Sequence, residues 1–156
     1  MWKTYDGTAL KGDITFEVEQ MLKSEAASGH KIKVCVGTDS QVKGARTEYA
    51  TVIVFLRERQ GGKMLVKKRT KRQKITLKER LLTEVSFSIE AAYSIVELLN
   101  QYNIPLEVHA DINSDPSFKS ELSFAEAKGY IMGMGFTFKG KPHAFASSCC
   151  ADKIVA

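Results

Sequence analysis

The sequence predicts an α/β fold, a mixed sheet covered by helices, on three observations. Three strand-like runs follow one another over residues 31–67, separated only by short turns. A long capped amphipathic segment, Leu77 to Tyr102, then leads into another apolar strand. Helical and strand patterns alternate from there to the end. At 156 residues and 44% hydrophobic, the chain reads as one domain over residues 1–156, with no repeat, linker or low-complexity tract.

The first helix is expected over Ile14–Ala27, with Asp13 as its N-cap and Gly29 as a stop signal. Lys31-Ile32-Lys33-Val34-Cys35-Val36-Gly37 alternates and then turns apolar, as a strand entering a core does, and runs into Thr38-Asp39-Ser40-Gln41. Thr47 to Leu56 is the strongest strand signal, rich in Val, Ile, Thr and Tyr. Gln60-Gly61-Gly62 marks a turn, and Lys63 to Lys67 completes an antiparallel meander. Thr76-Leu77-Lys78-Glu79 matches the capping box that opens a helix, and Ile104-Pro105 ends it. Leu106 to Asp111 is a fourth strand, Ser120–Met134 a third helix, Phe136 to Phe138 a fifth strand and Ser148–Val155 a short terminal helix.

Composition excludes several classes. Eight Phe, five Tyr and a net charge of only +5 argue against disorder. The longest apolar run, Ala50 to Leu56, falls far short of the roughly 20 residues that span a bilayer, and the opening residues lack an apolar leader, so a cytoplasmic protein is expected. Cys35, Cys149 and Cys150 form neither a disulfide framework nor a C-x-x-C pair, and reduced thiols are expected. His30, His109 and His143 lack zinc-hydrolase spacing, and no G-x-S-x-G or phosphate loop occurs. Asp111-Ile112-Asn113-Ser114-Asp115 opens like a calcium loop but has Pro116 at the glycine position and Leu122 at the bidentate glutamate position.

Four carboxylates stand out. Asp39 and Asp111 each directly follow an apolar strand, where open sheets bind their ligands; either alone also suits an Asx-turn. On a helical wheel at about 100° per residue, Leu81, Val85, Ile89, Ala92, Ile95, Val96 and Leu99 share one stripe with Leu77. Glu79, Glu90 and Glu97 fall on the opposite face, while Glu84 lies on the shoulder of the stripe. A carboxylate there needs a metal ion, a basic side chain or a route to water. Asp152 reads by itself as an ordinary acid in the first turn of a helix.

Strand–Asp, two strands, helix–Glu, strand–Asp, helix, strand and a helix with a late Asp is an element order that resembles the ribonuclease H-like superfamily, and within it the YkuK-type family of ribonuclease H-like proteins. The resembling stretches are Val36-Gly37-Thr38-Asp39-Ser40-Gln41, His109-Ala110-Asp111-Ile112 and Ala146 to Lys153, which with their spacing cover nearly the whole chain. The resemblance implies a central five-stranded sheet whose first three strands are antiparallel. It also implies that Asp39, Glu84, Asp111 and Asp152 converge on two divalent ions. An all-oxygen set selects Mg²⁺ or Mn²⁺, and the implied activity is two-metal hydrolysis of phosphodiester bonds in RNA or DNA. The alternative is an inactive nucleic-acid-binding module of the same fold.

Lys67-Lys68-Arg69-Thr70-Lys71-Arg72-Gln73-Lys74 carries six positive charges in eight residues. Such density suits sequence-nonspecific contact with a phosphate backbone, or else a solvated edge that lysine guards against aggregation. Lys141 is a further candidate phosphate contact.

Overall fold

The computed structural model describes residues 1–59, 61–72, 75–113 and 121–156. Its strands are β1 (Trp2–Thr4), β2 (Ile32–Lys43), β3 (Arg46–Arg57), β4 (Gly61–Lys71), β5 (Leu106–Asn113) and β6 (Thr137–Lys141). The helices are α1 (Ile14–Ala27), α2 (Leu77–Gln101), α3 (Glu121–Gly133) and α4 (Asp152–Val155), the last preceded by a π-helical segment, Ala146–Ala151. They form one mixed sheet in the order β1-β4-β3-β2-β5-β6. The β2, β3 and β4 meander is antiparallel as expected, and β5 and β6 add in parallel on its other side.

The local signals behave as their chemistry requires. The Asp13 side chain accepts from the Phe16 amide at 2.8 Å and starts α1. In α2 the capping box is complete: Glu79 N–H donates to Thr76 Oγ1 at 3.1 Å, and Thr76 N–H donates back to Glu79 Oε2 at 3.2 Å.

Three expectations need correction. The sheet has six strands rather than five, because Trp2–Thr4 pairs with the outer edge of β4. Asp39 and Asp111 lie inside their strands rather than beyond them. The β2–β3 ladder continues to Lys43, and β5 runs on to Asn113. What ends near the aspartates is the parallel β2–β5 ladder, last paired at Gly37 and His109, two residues before each. The terminal helix begins earlier than Ser148 and is π-helical before it becomes α-helical.

Strand alternation divides the interior in two. Val34 and Val36 of β2, with Ile53, Phe55, Leu65, Val108, Ala110 and Ile112, pack beneath α1, α2 and α3. Cys35, Val52, Val54 and Val66 face the other way, against Ala146 and Ala151 of the π-helical segment. Odd-numbered residues of β2 therefore face the C-terminal helices, and even-numbered ones face α2.

Buried hydroxyls lock β2 to α2. Thr38 Oγ1 shares hydrogen bonds with Ser88 Oγ at 2.7 Å and Thr51 Oγ1 at 2.9 Å, all buried. Two residues on, Ser40 donates to Glu84. Positions two apart on a strand and four apart on a helix advance by a similar distance, about 6–7 Å, so both bonds fit at once. Thr38→Val is expected to cost about 1–3 kcal/mol by stranding buried hydroxyls. Urea denaturation would read this loss, and unchanged stability would contradict it.

Candidate active site

The three aspartates lie on the face of the sheet covered by the C-terminal helices, and Glu84 approaches from α2 on the other. Asp39 and Asp111 both project beyond the end of the β2–β5 ladder, where the strands no longer pair. Asp152 is the first residue of α4, delivered there by the π-helical segment.

That delivery depends on Gly37. A Cβ built on it would lie 2.5 Å from Ser147 N and 2.7 Å from the Ala146 carbonyl carbon. Only a hydrogen at this position lets the π-helical backbone rest on β2 two residues from Asp39. His109 fixes the same segment from β5: its Nδ1 accepts from the Ala146 amide at 3.2 Å, and its ring packs edge-on against Phe145. That leaves the proton on Nε2, which donates to Glu107 Oε1 at 3.0 Å. His109 is therefore neutral, its pKa lowered first by burial.

The acids share one electrostatic environment. Asp39 is 8% exposed, and burial, with the Asp152 and Asp111 carboxyls beside it, pushes it up to about 7. Its Oδ1 accepts from Ser40 N–H at 2.8 Å. Glu84 is only 4% exposed and is held well above the ordinary range by burial, with repulsion from Asp39 and Asp111 adding to it. Asp111 Oδ1 is cut off from solvent and has no directed hydrogen bond. Lys141 Nζ stands 2.9 Å from that atom as an ion pair without hydrogen-bond geometry. Asp39 thus interacts electrostatically with Asp111 and Asp152, and Glu84 with Asp39 and Asp111, while among the described residues no three of these acids have ligand atoms all within 4.8 Å of one another.

Carboxylate oxygens are the donors a hard divalent cation takes, and burial with mutual repulsion raises Asp39 and Glu84, while Asp111 Oδ1 already has Lys141 as an ion-pair partner. A tighter trio lies next door. Among the described residues, ligand atoms of Cys35, Glu107 and His109 all lie within 4.8 Å of one another. There the His109 Nε2 proton occupies the position a metal would take, Lys33 pairs with Glu107 at 3.2 Å, and burial pushes the Cys35 thiol up to about 12. These interactions make the trio a packing and positioning group.

The basic tract is not one patch. It forms the second half of β4, so its side chains alternate between faces. Arg69 makes a two-pronged pair with Glu90 of α2 and stacks over Phe87, 4.2 Å from the ring centroid. Lys67 lies near Glu90 and over Trp2, and Lys71 over Phe87. Lys68 points to the opposite face. Arg72 lies just past β4, exposed, and Lys74 lies outside the described residues. The positioning roles of Thr38, Ser40, Ser88, Glu107 and His109 escaped the sequence reading, although Thr38-x-Ser40 and Glu84-x-x-x-Ser88 are spacings that match a strand laid on a helix.

The Ribonuclease H-like family model matches residues 13–155. Among solved structures, RNase H1 from the halophilic archaeon Halobacterium salinarum NRC-1 is similar at 13% identity, covering 73% of this chain and 89% of its own, with a TM-score of 0.41. No curated protein sequence matches the chain. With nearly its whole length matched, the chain belongs to the ribonuclease H-like family.

Proposed function

We propose that the chain is a divalent-metal-dependent nuclease that hydrolyses phosphodiester bonds in RNA or DNA, of the YkuK type within its family. The observation that supports this reading is that Asp39 and Asp111 both lie two residues past the last pair of the β2–β5 ladder, with Asp152 and Glu84 within electrostatic reach of Asp39. Asp39, Glu84, Asp111 and Asp152 would hold Mg²⁺ or Mn²⁺. Two such ions, when bound, supply a nucleophilic water at neutral pH and neutralise charge building on the phosphate and the leaving 3′-oxygen.

The protein's own part is placement. Asp39, central in the group, is oriented by Ser40 N–H, and Glu84 is pinned by the Ser40 hydroxyl. Asp152, the exposed member, is suited to orient the attacking water and take its proton. Three free thiols suit a reducing cytoplasm, and among the described residues no helix is long and apolar enough to cross a membrane.

The test is cleavage of labelled RNA, DNA and RNA–DNA hybrid with Mg²⁺ or Mn²⁺, beside Asp39→Asn. Product that requires metal and disappears in the variant is expected. No metal-dependent product on any substrate would leave a binding module without turnover.

A further inference from the structure

We propose that Lys3, Lys68 and Lys153 form a phosphate-binding cleft that holds the nucleic-acid strand beside the carboxylates. Its choice of ligand rests on the nuclease reading above. The ladder pairing places these residues. Asp39 pairs with Ala50, and Ala50 pairs with Lys68, so Asp39 and Lys68 stand in one row and face the same side of the sheet. Two strand spacings put their backbones about 10 Å apart. In the adjacent row Gly37 pairs with Val52, Val52 with Val66, and Val66 with Lys3 of β1, again on that side. Lys153 follows Asp152 directly in α4, which covers this face.

Three cations from three elements thus line one cleft of about 610 Å³, with Tyr5, Thr4 and Ile154 in its walls and, among the described residues, no acidic side chain. All three lysines are exposed. The acids that flank β4 are engaged mainly by other cations, Glu48 by Lys43 and Arg46 with Lys68 a weaker influence, and Glu90 by Lys67 and Arg69. Lys3, Lys68 and Lys153 make no ion pair among the described residues. Tyr5, 64% exposed, offers a ring on which any base can stack. The ligand is therefore a strand carrying successive phosphates, gripped by charge and free of base reading. Among the described residues of the basic tract, Lys68 lines this cleft, and Lys67, Arg69 and Lys71 serve the other face.

The test is binding of fluorescein-labelled 20-nucleotide single-stranded RNA and DNA in EDTA, from 50 to 300 mM salt. Lys3→Gln/Lys68→Gln/Lys153→Gln should bind at least about 10-fold more weakly. Its log–log salt slope should flatten by about 2, at roughly 0.7 for each phosphate no longer neutralised. Lys67→Gln/Arg69→Gln/Lys71→Gln, on the opposite face, should keep the wild-type slope. Lys68→Glu alone, at one exposed position, should weaken binding in the same direction if the second triple unfolds. An unchanged slope in the first triple, or an equal loss in the second, would overturn the cleft. Because no metal is present, the nuclease reading is judged separately: cleavage with an unaltered slope would remove only the cleft.

Discussion

Replacing Asp39 with asparagine is expected to reduce metal-dependent cleavage by at least about 10²–10³-fold, the scale of losing one charge-stabilising group in a transition state, while making the metal-free protein more stable at pH 8. The second half follows from the environment. Burial and neighbouring acids raise Asp39 from 3.8 to about 7 in the folded chain. A raised acid contributes stability that is fully present below the unfolded value and lost as pH climbs through the folded one. Metal-free wild type should therefore lose stability between about pH 4 and 7, on the order of 4 kcal/mol at 1.36 kcal/mol per pH unit. Glu84, also raised, contributes with the same sign. Asparagine reproduces the protonated state at every pH. Its carbonyl oxygen can still accept from Ser40 N–H, and its neutral amide removes the repulsion from Asp152 and Asp111. Denaturation curves from pH 4 to 8 in EDTA should flatten in the variant, and Mg²⁺ should restore stability to wild type alone. A variant less stable than wild type at pH 8 would contradict a strongly raised Asp39 carboxyl.

Gly37→Ala tests how the site is assembled without touching a carboxylate. The new methyl would meet backbone atoms of Ser147 and Ala146, which cannot swing aside as a side chain can. Either β2 bends, disturbing Thr38 and Ser40, or the π-helical segment lifts and draws Asp152 from Asp39. Overpacking of this kind costs about 1–3 kcal/mol. Divalent-metal affinity and cleavage rate should fall together by at least about 10-fold, because loss of a ligand's placement disables both. Wild-type stability with full activity would mean that the close approach is unimportant.

The parts of the fold that were legible in sequence are those governed by local chemistry. Asp13 and Gly29 bracket α1, Thr76 and Glu79 open α2, and the wheel singles out Glu84 because helical periodicity is geometric. Glu84 is more buried than its shoulder position suggested, since Ser40, a partner invisible to the wheel, reaches it from β2. β1 was not legible: three residues carry no periodicity, and they become a strand only because β4 offers an edge. The basic tract misled in a related way. Charge density looked like one surface, but strand alternation sends neighbours to opposite sides, where Trp2, Phe87 and Glu90 absorb half of them. Asp152 had no signal of its own; only the family resemblance singled it out, and its place beside Asp39 is tertiary. The Lys141–Asp111 pair, likewise, joins residues that the sequence keeps apart.

The central claim, that these four acids form one divalent-metal centre, is tested most directly by titrating the metal-free chain with Mn²⁺ at pH 7.5 and following the free ion by electron paramagnetic resonance. Two bound ions per chain are predicted, with binding lost in Asp39→Asn, weakened in Asp152→Asn and retained in Cys35→Ala. No binding by the wild type, or binding that Asp39→Asn leaves intact, would contradict it.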